Sequence, residues 1–147
     1  MDFIPEAVST YARRDRWQMG GVIIATANDA AELFGPVFAE STAQGETLAV
    51  AHLDTDRRLI ELVVVEAGAA SHVDIPVRRV IEDALRLGAQ GLVIAHNHPS
   101  GDAQPSWDDV ESTRELAETT ARLGIRLHDH LIFAGGEVCS LRALGLL

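Results

Sequence analysis

The run Leu92-Val93-Ile94-Ala95 is apolar at every position and ends in His96-Asn97-His98. A strand with one face in water alternates apolar and polar residues, so an unbroken apolar run belongs to an inner strand covered on both faces. Such a strand needs a layer above it and a layer below it, which narrows the fold to a layered α/β domain. The flanking sequence supplies candidates for the covers. Pro76 sits where a first helical turn tolerates it, and Val77, Val80, Ile81, Ala84, Leu85 and Leu87 draw an apolar stripe that ends at Gly88. Beyond the loop Pro99 to Pro105, Ser106 opens a second helix whose face carries Val110, Thr113, Leu116, Ala117, Thr120 and Leu123, closed by Gly124.

The remaining chain completes the layers. Asn28 is a plausible N-cap for a helix that reaches Ala39, and Ser41 to Gly45 read as a loop. Thr47 to Leu53 and Leu59 to Val65 are predicted strands around the turn Asp54-Thr55-Asp56-Arg57. Gly68 to Asp74 form a loop, and Ile125 to Phe133 and Val138 to Leu141 form a closing pair of strands around Gly135-Gly136. Ala7 to Gln18 read as a short helix or arm, which divides the chain into an arm over residues 1–22 and one domain over 23–147. The expectation is a single mixed α/β domain with about six elements in the sheet layer and three or four helices.

Charge and composition limit the function classes. Twelve basic residues against twenty-two acidic ones give a net charge of -10, so bulk attraction to nucleic acid or an anionic membrane is absent. Direct nucleic-acid binding would require a local patch, for which Arg78, Arg79 and Arg86 or Arg13, Arg14 and Arg16 are candidates. The single cysteine, Cys139, excludes an intramolecular disulfide framework and any zinc site built on paired thiolates. No apolar stretch approaches the roughly 20 residues of a membrane span, and the amino terminus lacks the pattern of a secretory signal. A soluble, cytoplasmic protein with no membrane partner is expected.

Six histidines remain to be explained. His96 and His98, two apart on an extended segment, project to one side and can reach one ion. Asp109 can supply a third ligand, and two nitrogens with one carboxylate oxygen and an open fourth position are the composition of a catalytic zinc site. Ser106 lies three residues before Asp109 and shares its helical face. Taken alone, Ser106-x-x-Asp109 reads as a variant capping box. The conjunction His-x-His-Pro, six residues, Ser-x-x-Asp is far rarer, arising by chance in roughly one unrelated chain in 10^5 of this length.

Here the sequence resembles the JAB/MPN superfamily with its JAMM signature, and within it the bacterial RadC-like branch. The resemblance is carried by His96-Asn97-His98-Pro99-Ser100-Gly101-Asp102, Ala84-Leu85-Arg86-Leu87-Gly88-Ala89, Leu123-Gly124-Ile125 and Asp129-His130-Leu131-Ile132, and it runs from about Ile23 to Leu141. It implies a cytidine-deaminase-like layered domain, a mixed central sheet flanked by helices. It also implies Zn2+ held by His96, His98 and Asp109. The family's remaining functional residue is a glutamate at the start of the first strand; Glu46 fits that position, ahead of Glu40, Glu61 and Glu66, although without the resemblance it reads as an ordinary strand-edge carboxylate. In that scheme Glu46 moves the proton and Ser106 donates to the developing oxyanion, in hydrolysis of a peptide or isopeptide bond of a peptide or protein substrate.

Other readings are weaker. His96-Asn97-His98 matches a nuclease motif only in its letters, and zinc deaminases need a Pro-Cys-x-x-Cys pair that one cysteine cannot supply. In His128-Asp129-His130, alternation places His128, His130 and Ile132 on one side of a strand; Asp129 and His130 match the family as residues that orient ligands or pack behind them, while direct ligation by His128 or His130 is the lesser reading. His52 and His72 read as structural or solvated, and Trp107 as loop packing rather than a substrate platform. Two departures stand out. RadC-like proteins commonly carry a helix-hairpin-helix module before the domain, whose DNA contacts are not expected here, and the family's His-Pro-Arg is replaced by Pro76-Val77-Arg78. The alternative from another class is an accessory protein of DNA repair or mobile-element maintenance whose metal site lacks robust peptidase activity.

Overall fold

A computed structural model describes residues 21–40, 45–66 and 75–147. The arm read over Ala7 to Gln18, the arginines Arg13, Arg14 and Arg16, and His72 lie outside the described residues. In chain order the elements are α1 (Ala27–Glu40), β1 (Thr47–Leu53), β2 (Leu59–Glu66), α2 (Val77–Leu87), β3 (Gly91–Asn97), α3 (Trp107–Ala121), β4 (Arg126–Ala134) and β5 (Glu137–Ser140).

Five strands form one mixed sheet in the order β2-β1-β3-β4-β5. Only β3 and β4 run parallel, and α3 makes the crossover between them. The described sheet has five strands where about six elements are expected. Ile23 contributes a single bridge to Arg58 in place of a further strand.

The unbroken apolar run is the middle of the sheet, and its alternate residues feed two cores. Val93 and Ala95 join Ala49, Ala51 and Leu131 beneath Leu33, Phe34 and Val37 of α1. Leu92 and Ile94 join Leu48, Val50 and Leu127 beneath Val80 and Ala84 of α2 and Leu116 of α3. The domain is therefore three-layered, with α1 on one face and α2 and α3 on the other.

Local chemistry sets the boundaries. α1 begins two residues earlier than the Asn28 cap implies, because the Thr26 hydroxyl accepts the Asp29 N–H while the Asp29 carboxylate accepts the N–H groups of Ala25 and Thr26. α2 starts after Pro76 and ends at Gly88, whose φ of 67° lets its N–H turn back onto the last helical carbonyls. In the β1–β2 turn the Asp54 carboxylate accepts the N–H groups of Asp56 and Arg58.

Candidate metal centre

β1 and β3 pair antiparallel, with Leu48 opposite His96. Two residues on, the same register brings Glu46 alongside His98. Asn97, between the two histidines, ties the strands together there, its side-chain oxygen accepting the Thr47 N–H at 2.6 Å. Ligand atoms of Glu46, His96 and His98 lie within 4.8 Å of one another, and these three residues could hold a metal ion. Glu46 and His96 are buried, and His98 is partly so.

α3 brings the fourth group. Asp109 places Oδ2 at 3.1 Å from His98 Nε2 and Oδ1 at 3.4 Å from His96 Nε2. Ser106 and Asp109 do form the capping box: the Ser106 Oγ accepts the Asp109 N–H at 3.0 Å, and Asp109 Oδ2 accepts the Ser106 N–H at 2.8 Å. Capping and donation by Ser106 are thus compatible, because the cap uses an oxygen lone pair and leaves the hydroxyl proton unspent.

Each imidazole is held through its other nitrogen. His98 Nδ1–H donates to the Asp102 carbonyl at 2.8 Å, leaving a bare lone pair on Nε2. For His96 the assignment comes through a chain of partners. A carbonyl can only accept, so the Thr113 hydroxyl donates to the Asp109 backbone oxygen. Its oxygen therefore accepts from His130 Nδ1–H at 2.6 Å. His130 Nε2 is then an acceptor, and His96 Nδ1–H donates to it at 2.6 Å. His96 Nε2 is left as a second bare lone pair, 2.9 Å from that of His98.

Two lone pairs and a carboxylate facing one another repel, and a cation at their centre converts the repulsion into ligation. Tetrahedral ligands at about 2.0–2.1 Å from zinc stand about 3.3 Å apart, close to the spacings here. The donor set fits a metal ion. His130 is fully buried, and burial first, then the neighbouring His96, keeps its pKa well below the ordinary value, so it stays neutral as the chain of donors requires.

A family model described as a RadC-like JAB domain matches residues 24–146. The chain belongs to that family. Similar proteins include the UPF0758 protein of Salinibacter ruber, 39% identical over 120 residues, which cover 81% of this chain and 50% of that one. The UPF0758 protein of Bordetella petrii is 44% identical over 96 residues, covering 65% and 43%. That of Rhodobacter capsulatus is 40% identical over 102 residues, covering 69% and 48%. The chain spans about half the length of these relatives.

Other sequence readings are revised within the RadC-like JAB domain. His128 does not share a side with His130: Leu92 pairs with Leu127 but Val93 with Asp129, so His128 is a bulged residue, and it lines a cavity beside Val93 and α1 while His130 faces α3. Trp107 does not pack into the loop; it is 74% exposed at the first position of α3. Of the two readings of His52, structural or solvated, its burial agrees with the first. Arg78, Arg79 and Arg86 do not make a free basic patch, since each faces Glu82, Asp83 or Glu61. Among the described residues no helix is long and apolar enough to cross a membrane.

Proposed function

We propose that the chain is a zinc-dependent hydrolase of the JAMM type that cleaves a peptide or isopeptide bond, with His96, His98 and Asp109 as the ligands. The observation that carries this reading is the pair of bare Nε2 lone pairs converging beside the Asp109 carboxylate, with Glu46 in reach of both. A zinc ion bound there supplies Lewis-acid activation of water and of the scissile carbonyl. Glu46 accepts the proton of the attacking water and hands it to the leaving amine. Ser106 keeps its hydroxyl proton for the oxygen on which charge develops. Asn97 ties down the N–H of Thr47, the residue after Glu46, and His130 holds His96 through the Nδ1 of His96.

Glu46 also lies close enough to be a ligand, and this decides the experiment. In Glu46→Gln, metal measured by mass spectrometry stays at the parent stoichiometry while chelator-sensitive cleavage of a peptide library falls by at least about 10^2-fold. His96→Ala loses both. Loss of metal from Glu46→Gln would make Glu46 a ligand and overturn the proton-transfer role; a parent protein that takes up no divalent metal sinks the whole reading. The second reading, a DNA-repair accessory protein, is disfavoured by the pairing of Arg78, Arg79 and Arg86 with carboxylates. Micromolar, salt-dependent affinity for DNA without peptide cleavage would replace the first reading by the second.

A further inference from the structure

Across the sheet from the metal centre, beneath the start of α1, lies a cavity of about 340 Å³ whose rim carries Arg57, Arg126, Arg142 and His128. Three of the twelve basic residues of a chain with net charge -10 therefore converge on one hollow. Among the described residues, ion pairs to carboxylates involve Arg78, Arg79, Arg86 and Arg114, and none involves these three. The Nε of Arg57 is buried with no hydrogen-bond partner.

The fold brings the three together by separate means. Arg57 occupies the β1–β2 turn at a φ of 63°, a left-handed conformation that a side chain as large as arginine seldom adopts. Arg142 is clamped after β5: its guanidinium donates to the carbonyls of His128 and Leu127, and its N–H to Asp129. Arg126 opens β4, and the bulge two residues later swings His128 over Gly91, where any Cβ would stand 2.6 Å from the His128 Nε2. Two carboxylates stand by: Asp129 lines the cavity itself and Asp29 senses the charge of Arg57, but neither makes an ion pair with the three arginines and both accept hydrogen bonds from elsewhere. Asp29 accepts the N–H groups of Ala25 and Thr26, and Asp129 accepts from the Ser140 hydroxyl and from the N–H groups of His130 and Arg142. Burial, then the fields of Arg57, Arg126 and Arg142, push the pKa of His128 down to about 4, so all three arginines lie close enough to act on one side chain of the cavity wall.

We propose that this cavity binds a phosphate group, either the free ion or the end of a small phosphomonoester. Guanidinium groups match phosphate oxygens in geometry and charge. Among the described residues, Arg57 and Arg126 have theirs unclaimed by carbonyls, and Arg142, whose Nε and one Nη are held by the carbonyls of His128 and Leu127, adds its positive charge. This combination suits a dianion better than a carboxylate. The volume lies at the small end of ligand pockets, enough for a phosphate with a modest substituent. The site is separate from the metal centre and does not depend on the hydrolase reading.

The test titrates the full chain with inorganic phosphate and, in parallel, with adenosine monophosphate, at ionic strength held constant with sodium chloride, following melting temperature and heat of binding. A saturable rise in melting temperature is expected. Equal affinity for the two probes identifies the ion itself as sufficient, and tighter binding of the nucleotide identifies a monoester. Arg126→Gln weakens binding about tenfold, Arg122→Gln at the end of α3 leaves it unchanged, and His96→Ala, which disables the metal centre, also leaves it unchanged. A response no larger than that to chloride, a response untouched by Arg126→Gln, or one abolished by His96→Ala overturns the proposal. So does binding of duplex DNA without any response to inorganic phosphate.

Discussion

His52 is fully buried on β1, and neither of its ring nitrogens has a hydrogen-bond partner. Burial, opposed by Asp83 and reinforced by Arg86, lowers its pKa from 6.5 to about 4. The folded protein thus refuses a proton that the unfolded chain accepts below about 6.5, so stability is lost as pH falls from about 6.5 toward 4. The loss attributable to this one group is at most about 3 kcal/mol. Urea unfolding of the parent and of His52→Leu between pH 7 and 4.5 should show the flatter pH dependence in the variant; parallel curves would remove His52 as the cause. Nothing in the sequence separates this histidine from a solvated one, because its burial depends on how α2 covers β1. The reverse holds for Ser106 and Asp109, whose spacing alone announces both the helix start and the shared face.

At the scale of elements, α3 is joined to β3 through β4 by the chain His96–His130–Thr113–Asp109. Two of the ligands proposed for the metal are thereby oriented by one circuit. Thr113→Val breaks it and should weaken zinc affinity by about 10–100-fold, measured against a chromogenic chelator, while Thr113→Ser restores it. Equal affinities in the valine and serine variants would reduce Thr113 to a packing residue. The sequence pattern names β1 over its observed length, from Thr47 to Leu53, because a clear polar turn and a glycine bound it. It stops β3 at Ala95, although the strand runs to Asn97, since polar residues inside a ladder carry no apolar signal. It also places His128 with His130, since alternation has no term for a bulge.

For the whole molecule, the centre gathers residues from three distant stretches, at 46, 96–98 and 109. Metal that binds the folded chain and not the unfolded one adds about 4 kcal/mol when free metal exceeds its dissociation constant by about 1,000-fold. Chelation should therefore lower the melting temperature by about 2–4 °C per kcal/mol lost, and scanning calorimetry with and without chelator checks it; an unchanged midpoint would mean that the centre adds nothing to stability. The three-layer plan follows from the apolar run in β3, but the pairing of distant strands that completes the centre does not, because register is a property of two segments together. The bulge at His128 acts on this plan as a half-step in phase. Leu127 and His130 are three residues apart yet serve the same layer. A strand one residue shorter at that point would carry both to the same layer by plain alternation, so length variation there is compatible with an intact metal centre and alters only the arginine-lined hollow on the far side.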